Sequence, residues 1–173
     1  IDALVKIAKS FSSFAQLSEP NRSQVDLVQT VGGVLLMFSS HKKVRIGFET
    51  SIDRCFLSID KEQWIQVLNN IIKNAIQACS NSANPQINLQ LHQQGQSIIL
   101  SIQDNGRGIS ADQKEKIFTP HFTTKSKGSG IGLSIVKQII ENHSGQISFV
   151  SSPDSGTIFK IVLPTTLDNQ IKE

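Results

Sequence analysis

The residues with the clearest chemical potential lie between Asp104 and Leu133, in the stretch DNGRGISADQKEKIFTPHFTTKSKGSGIGL. This stretch contains five of the eleven glycines of the chain, in two clusters: Gly106 and Gly108, then Gly128, Gly130 and Gly132. Glycine allows the main chain to adopt positive φ and to approach a ligand with no Cβ in the way. Two such clusters beside a predicted helix start indicate a cradle for phosphates, and therefore a nucleotide site.

Two lysines, Lys125 and Lys127, lie among the second group of glycines. The other basic residues are spread along the chain, and the formal net charge is only +3. Nucleic-acid binding therefore has no electrostatic footprint, and no nucleic-acid partner is expected. A local anion explains the lysine pair better.

A second set of polar residues lies in the helix predicted after Asp60. Asn70, Asn74 and Gln77 are three or four residues apart, so they share one helix face. Asparagine is a poor helix former, and two of them one turn apart suit a site where side-chain oxygens meet a metal ion or phosphates. From these residues alone, a solvated helix face is the alternative.

Composition limits the class of protein. The 173 residues, 38% of them hydrophobic and 18% charged, suit one soluble domain with a short appendage. No apolar run approaches the ~20 residues that span a bilayer, and the N-terminus lacks the features of a signal peptide. Because the chain begins without Met, we expect a longer natural protein. Cys55 and Cys79 lie among apolar residues, as core thiols of a reducing compartment do.

The first third of the chain is predicted to contain two helices and a hairpin. Residues 1–17 have apolar side chains at helical spacing, and Pro20 ends the pattern. This helix is either half of a helical hairpin or coiled-coil stem, or an ordinary capping helix. A second helix is predicted over 24–40, and strands over 44–50 and 54–59 are expected to pair as a hairpin.

The rest alternates between helices and strands. Asp60 with Gln63 three residues later matches a capping box at a helix start. The predicted elements are a helix over 60–79, strands over 86–92 and 96–104, helices over 111–118 and 132–142, and strands over 146–151 and 157–163. This order predicts an α+β two-layer sandwich, in which a mixed, mostly antiparallel sheet is covered on one face by helices. The polar segment 110–129 is predicted to be a lid that orders when nucleotide binds.

The order of these motifs is more specific than any one of them. GSGIGL satisfies only part of a dinucleotide fingerprint, and no GxxxxGK[ST] loop is present. Four motifs follow one another along the chain: an Asn-x-x-x-Asn helix, Asp-x-Gly-x-Gly after a strand, Gly-x-Gly-x-Gly opening a helix, and a final Gly-Thr. In this order of motifs, the chain resembles the ATP-binding catalytic domain of sensor histidine kinases. These kinases share a superfamily with gyrase, the heat-shock 90 chaperones and MutL. The resemblance covers residues 25–164. PHFTTKSKGSGIGLSIVKQIIENHSG is most similar to the nitrogen-regulation branch, and FSSFAQLSEP is similar to the end of the dimerisation stem.

The resemblance implies roles for individual residues. Asn74 would coordinate Mg²⁺ and Asn70 would face the phosphates of ATP. Asp104 would accept a hydrogen bond from the adenine amine, with Thr157 supporting both directly or through a water. Among the other implied nucleotide contacts, Gly108 would lie beside the base and Phe118 would anchor the lid. Gly106 and Lys125 are further contacts. The phosphates would meet a helix N-terminus formed by Gly128, Gly130, Gly132 and Leu133. Asn70 and Lys125 are the candidate catalytic residues, although Lys125 is equally compatible with a solvated position.

The histidines depart from the family pattern. The phosphoacceptor of these kinases lies on the first stem helix beside an acidic residue, and none of His41, His92, His121 or His143 has that setting. We expect each to be solvated or structural. In the hydrolase branch of the superfamily, a glutamate that activates water replaces the residue at the position of Asn70. An amide cannot take a proton from water at neutral pH, so weak ATP hydrolysis is expected.

These observations predict a histidine kinase catalytic domain over 21–166, preceded by the end of the stem over 1–20 and followed by a loose tail over 167–173. The expected partners are Mg-ATP, the histidine of the protein's own stem and a response regulator, in a homodimeric and cytoplasmic full-length protein. Any membrane anchor would lie N-terminal to this chain. An ATP-hydrolysing module of the same superfamily and a non-catalytic nucleotide-binding domain are the alternatives.

Overall fold

The computed structural model describes residues 18–41, 43–123 and 130–165. The predictions for the helix over 1–17, Lys125, Gly128 and the tail over 167–173 fall outside these ranges. They stay predictions, as do the domain bounds. Within the described ranges, no helix has the length and apolarity needed to cross a membrane.

The described elements alternate as expected for an α+β chain. In chain order they are β1 (Ser23–Asp26), α1 (Leu27–Met37), β2 (Arg45–Thr50), β3 (Phe56–Ile59), α2 (Lys61–Ala78), a 3-10 turn (Cys79–Asn81), β4 (Gln86–Gln94), β5 (Ser97–Asp104), α3 (Ala111–Lys114), α4 (Gly132–Asn142), β6 (Gln146–Ser151) and β7 (Thr157–Pro164). A second sheet, formed by β1 and β3, was not predicted.

The main sheet has five strands in the order β2-β4-β5-β7-β6. Strands β2 and β4 are parallel, and the other neighbouring pairs are antiparallel. Alternate residues of each strand face the helices, so one face of the sheet is buried against α2 and α4. The core between the layers includes Trp64, Leu68, Ile71, Ile87, Leu89, Leu100, Ile102, Val136, Ile139 and Ile161. The predicted mixed, mostly antiparallel sheet with helices on one face is confirmed.

The predicted hairpin between residues 44–50 and 54–59 is wrong. Strand β2 pairs with β4 in parallel, from Arg45 opposite Gln86, while β3 pairs antiparallel with β1. The physical reason is burial, because β2 extends the main sheet at its edge whereas β3 brings Leu57 and Ile59 into the core. Two adjacent strands in sequence therefore belong to different sheets.

Two predicted helices are shorter than expected. Helix α1 begins at Leu27 rather than 24, because the Asp26 carboxylate caps it by accepting from the backbone N–H groups of Val28 and Gln29. The residues before Asp26 form β1 instead. Helix α3 ends at Lys114 rather than 118, and single turns continue the chain, with Thr119 N–H donating to the Lys116 carbonyl.

The start of α2 follows the prediction only in part. Asp60 caps the helix, since its carboxylate accepts from the N–H groups of Glu62 and Gln63, each at 3.0 Å. The reciprocal half of a capping box is absent, because Gln63 Nε2 donates to the Ser18 carbonyl at 3.2 Å. The Asp60 N–H donates instead to Nε2 of His143 at 3.0 Å. His143 is therefore structural, which was one of the two roles expected for it, the other being a solvated position.

Candidate functional site

A cleft of about 720 Å³ lies between α2, the carboxyl end of β5 and the start of α4. Ligand clefts in proteins commonly have volumes of about 300–1,000 Å³, so this cleft has room for a nucleotide. Its lining includes Asn70, Lys73, Asn74, Gln77, Asp104, Arg107, Gly108, Ile117, Phe122, Thr123, Gly130, Gly132, Leu133, Thr157 and Phe159. Eight predicted site residues therefore meet in one cleft: Asn70, Asn74, Asp104, Gly108, Gly130, Gly132, Leu133 and Thr157.

Asp104 is the buried carboxylate of the cleft. It ends β5 and is only 4% exposed, and its Oδ1 accepts a hydrogen bond from the Gly106 N–H at 2.8 Å. Burial raises the pKa of Asp104, while the backbone N–H groups of Gly106 and Thr157 lower it in part. A carboxylate has about four acceptor positions, so it retains capacity for a donor on a ligand.

Asp104, Thr157 and Ser151 form a row across three neighbouring strands. Asp104 is opposite Thr157 in the β5–β7 pair, and Thr157 is opposite Ser151 in the β7–β6 pair. All three are buried, at 4%, 4% and 7% exposure respectively. The Oγ atoms of Ser151 and Thr157 are 3.0 Å apart. Sequence reasoning missed Ser151, since no local motif marks it; only the strand register brings it beside Thr157.

Close packing fixes the loop that follows Asp104. Gly108 has φ +69°, and a Cβ there would collide with the Ser152 carbonyl oxygen. A Cβ on Gly106 would lie 2.5 Å from the carbonyl carbon of Ala78. These two glycines are thus required by the fit of the loop against the β6–β7 turn and the end of α2. The prediction that they serve close ligand approach remains untested.

Asn105, which sequence reasoning did not single out, anchors the same loop. Its Oδ1 accepts from the Gln86 N–H at 2.8 Å, and its Nδ2 donates to the Asn84 carbonyl at 2.7 Å. The loop is therefore tied to the start of β4 as well as to the β6–β7 turn. Its position beside Asp104 is fixed before any ligand arrives.

The opposite wall combines α2 with the N-terminus of α4. Asn70 and Asn74 lie on the cleft side of α2, and a Cβ on Gly132 would lie 3.6 Å from Asn70 Oδ1. In the described structure α4 has no side-chain cap, although Asp26 and Asp60 cap α1 and α2. The backbone N–H groups of its first turn lack intrahelical partners, and the helix dipole makes this end positive. This wall suits an anion.

The described part of the predicted lid is in contact with the residue that follows the lid. Gly130 has φ +69°, and a Cβ there would lie 2.5 Å from the carbonyl carbon of His121. His121 itself has a positive φ of 64°. The predicted phosphate contacts Lys125 and Gly128 lie in 124–129, outside the described residues.

The structure places Phe118 elsewhere than at the cleft. Its ring packs against Phe149 with centroids 5.9 Å apart, and Nζ of Lys137 lies 5.8 Å from its centroid. Ile117 and Phe122 line the cleft instead. The predicted role of Phe118 in anchoring the lid stays a prediction.

Residues 59–167 match the family model described as "Histidine kinase-, DNA gyrase B-, and HSP90-like ATPase". The chain belongs to this family of nucleotide-binding domains.

Its relatives include sensor histidine kinases, as the sequence predicted. The signal transduction histidine-protein kinase AtoS of Escherichia coli (strain K12) is 35% identical over 95% of this chain and 27% of AtoS. A putative sensor histidine kinase NtrY-like of Rickettsia bellii (strain RML369-C) is 31% identical over 90% of this chain and 26% of the relative. The chain thus spans about a quarter of the length of both relatives.

Solved structures agree on the fold. The nucleotide-free catalytic domain of histidine kinase ThkA superposes with a TM-score of 0.76 at 30% identity, over 84% of this chain and 97% of that domain. Histidine kinase ThkA in complex with response regulator protein TrrA gives a TM-score of 0.78 at 26% identity, over 95% of this chain and 48% of ThkA. The predicted fold, that of a histidine kinase catalytic domain, is confirmed.

Proposed function

We propose that this chain binds Mg-ATP and transfers its γ-phosphoryl group to a histidine on a stem helix, as the catalytic domain of a two-component sensor kinase. The observation that carries this proposal is the N-terminus of α4, which has no side-chain cap among the described residues and lies beside Asn70 in the cleft that also contains buried Asp104. One wall suits phosphates and the other suits a base with a hydrogen-bond donor. The kinase names of the relatives support the reaction.

At the base end, Asp104 would accept a hydrogen bond from the exocyclic amine of adenine. Guanine has a carbonyl oxygen at the equivalent ring position, which would face the carboxylate without a hydrogen between them. A buried acceptor left without its donor costs about 1–3 kcal/mol. Asp104 would therefore select adenine over guanine nucleotides.

At the phosphate end, the donor set fits a Mg-triphosphate. Mg²⁺ prefers oxygen ligands and commonly takes one or two from the protein while substrate phosphates and waters supply the rest. Asn74 would provide the protein oxygen, and Asn70 with the N–H groups of Gly132 and Leu133 would face the phosphates. Gly130, Lys125 and Gly128 would complete the phosphate contacts from the lid. Bound Mg²⁺ would neutralise charge on the phosphates.

The transfer itself would be an in-line displacement. A histidine nitrogen of the stem attacks the γ-phosphorus, the bond from that phosphorus to the β–γ bridging oxygen breaks, and ADP leaves. The chain's own residues mainly position and neutralise charge in such a reaction. Asn70 cannot activate a water by taking its proton, so bound ATP would remain largely intact until the histidine arrives.

The wider assembly is part of the same proposal. The phosphoacceptor would be a histidine on the stem helix, since His41, His92, His121 and His143 have no acidic neighbour in the sequence and His143 is fully buried. A response regulator would take the phosphoryl group, as the ThkA complex with its response regulator protein suggests by analogy. A homodimeric, cytoplasmic kinase is the setting we propose for the full-length protein.

Radiolabelled ATP tests the proposal. The chain is incubated with [γ-³²P]ATP and Mg²⁺, alone and with a separately produced stem of the full-length protein. We expect label on the stem alone, stable to base and labile to acid as phosphohistidine is. Asn74→Ala serves as the control for contaminating kinases and should remove the label.

Phosphate release separates this reaction from the hydrolase alternative. Without stem, the chain should release phosphate far more slowly than ~1 s⁻¹, the low end of ordinary turnover. Sustained release that disappears in Asn74→Ala would contradict the kinase proposal and favour a hydrolase. ATP binding with neither transfer nor release would favour the non-catalytic alternative.

A further inference from the structure

We propose that Ser151 is a positioning residue for base selection, because its hydroxyl fixes the direction of the Thr157 hydroxyl and makes Thr157 a hydrogen-bond acceptor towards the cleft. The inference rests on the proposed function, since it concerns the base that the cleft binds. Ser151 lies one strand beyond Thr157 and would act on a ligand only through that residue.

Three hydrogen bonds account for the hydroxyl of Ser151. Its Oγ lies 2.7 Å from the Gly156 carbonyl oxygen, and a carbonyl can only accept, so the single hydroxyl hydrogen of Ser151 is donated there. The Ile109 N–H donates to Ser151 Oγ at 2.9 Å. This leaves one acceptor position on the serine oxygen.

The third contact determines the direction of the threonine hydroxyl. Ser151 Oγ and Thr157 Oγ1 are 3.0 Å apart, a distance at which either hydroxyl could be the donor. Since the hydrogen of Ser151 is already donated to Gly156, Thr157 must be the donor. The hydroxyl of Thr157 then has no hydrogen left for a ligand, and only its lone pairs face the cleft.

The cleft therefore presents two neighbouring acceptors to the base, the Asp104 carboxylate and Thr157 Oγ1. A base edge rich in donors, or a water that donates to both atoms, satisfies this pair. Both acceptor atoms would repel the oxygen of a carbonyl group at the same ring position. If Ser151 did not hold it, the Thr157 hydroxyl could rotate and donate to such a carbonyl, so base selection would weaken.

Inosine triphosphate is a direct probe, because it differs from ATP only at this edge of the base, where a carbonyl replaces the exocyclic amine and N1 carries a hydrogen. Calorimetry gives the ratio of ITP to ATP dissociation constants for the wild type and for Ser151→Ala. We expect the ratio to fall by about three- to tenfold in Ser151→Ala, the range that one hydrogen bond provides. Ser148→Ala, at an exposed position of the same strand, is the matched control and should leave the ratio unchanged.

Two further variants distinguish this role from simple support of the fold. Thr157→Val removes the acceptor itself and should also lower the ratio. In the double variant Ser151→Ala with Thr157→Val, the ratio should equal that of Thr157→Val alone, because Ser151 acts through Thr157. Ser151→Thr keeps the hydroxyl and should restore most of the wild-type ratio.

The ratio of the two dissociation constants distinguishes base selection from support of the fold. A Ser151→Ala protein that loses affinity for ATP and ITP equally, with an unchanged ratio, would show that Ser151 only supports the fold. If Ser151→Ala does not fold, an unchanged ratio in Thr157→Val overturns the proposal on its own. Failure of the wild type to bind either nucleotide would instead count against the proposed function.

Discussion

The two ends of the cleft are built differently. The proposed base end lies on three neighbouring strands, where Asp104, Thr157 and Ser151 are almost fully buried; the backbone N–H of Thr157 bonds to Asp104 and its hydroxyl to Ser151. The phosphate end joins the half-buried side chains of Asn70 and Asn74 to the first turn of α4. Strand register fixes the first set without a ligand, whereas the second set presents a helix face and backbone N–H groups that have no partner within the helix. The base end is preorganised, and we expect ligand to complete the phosphate end.

The largest effect should come from Asp104→Asn. Adenine is common to ATP, ADP and adenosine, so the affinity for all three should fall together, by about 30-fold or more, equivalent to roughly 2 kcal/mol. Calorimetry with the three ligands measures this, and GTP should bind the wild type much more weakly than ATP. Asp154→Asn, an exposed carboxylate in the β6–β7 turn, is the matched control.

A loss confined to ATP and ADP, with adenosine unaffected, would contradict the assignment of Asp104 to the base. Equal affinity of the wild type for ATP and GTP would do the same. Because burial raises the pKa of Asp104, the Asn variant also removes a buried charge that opposes folding. Its unfolding temperature without nucleotide should therefore be no lower than that of the wild type.

Asn74→Ala should produce the converse pattern. If Asn74 binds Mg²⁺ together with the phosphates, affinity for Mg-ATP should fall roughly tenfold or more, while adenosine affinity stays the same. Titrations with and without Mg²⁺ measure both effects. Gln66→Ala, at an exposed position of α2, controls for changes in helix stability. An equal loss of adenosine affinity would remove the distinction between the two ends.

Gly130→Ala tests the contact between the lid and the residue that follows it. A Cβ at φ +69° beside His121 should cost about 1–2 kcal/mol and loosen this contact. Hydrogen exchange in 110–123 should then be faster, and the protection that Mg²⁺ and an ATP analogue give the wild type there should be reduced. Adenosine affinity should change little.

Gly33→Ala is the opposite control. Gly33 lies within α1 with nothing within 4 Å of a Cβ, so alanine there should stabilise the fold by roughly 0.5–1 kcal/mol. If both glycine variants behave alike, backbone strain at Gly130 is not important for the lid.

The sequence predicted the elements that local signals define. Helix α4 begins at Gly132 and ends at Asn142, as the glycine at its start and Ser144-Gly145 after its end indicated. Asp104 lies at the end of a strand, as the alternation before it implied. These features depend on residues that are close in sequence.

What sequence reasoning missed depends on pairing between distant segments. The four-residue strands β1 and β3 pair across about 30 residues of chain. Neither strand has a sequence pattern that indicates which strand it pairs with. The place of Ser151 beside Thr157 follows from register, which no local motif encodes. Helix α3 ends after four residues, earlier than predicted, and the place of Phe118 against Phe149 also joins segments that are distant in sequence.

The smallest effect on the cleft should come from a residue far from it, at the place where α2 and α4 meet at their other ends. His143 is fully buried there; its Nδ1–H donates to the Ile139 carbonyl at 2.7 Å, and its Nε2 accepts from the Asp60 N–H. Both contacts together require the neutral ring with its hydrogen on Nδ1. Burial lowers the pKa of His143 below its ordinary value of 6.5, with the positive charge of Arg22 acting in the same direction. The Ile139 carbonyl and Asp60 act in the opposite direction.

The sign of the pH dependence follows from proton linkage. The unfolded chain takes up this proton near pH 6.5 and the folded chain does not, so the stabilisation is complete above that pH. It should decrease as the pH falls below 6.5, by up to about 1.4 kcal/mol per pH unit for one proton. Denaturant unfolding between pH 7.5 and 5.5 measures the slope. His143→Gln should be less stable at pH 7.5 and should lose most of the slope, whereas His41→Gln, at an exposed position, should keep it. A wild-type slope in His143→Gln would mean that another group controls the acid sensitivity.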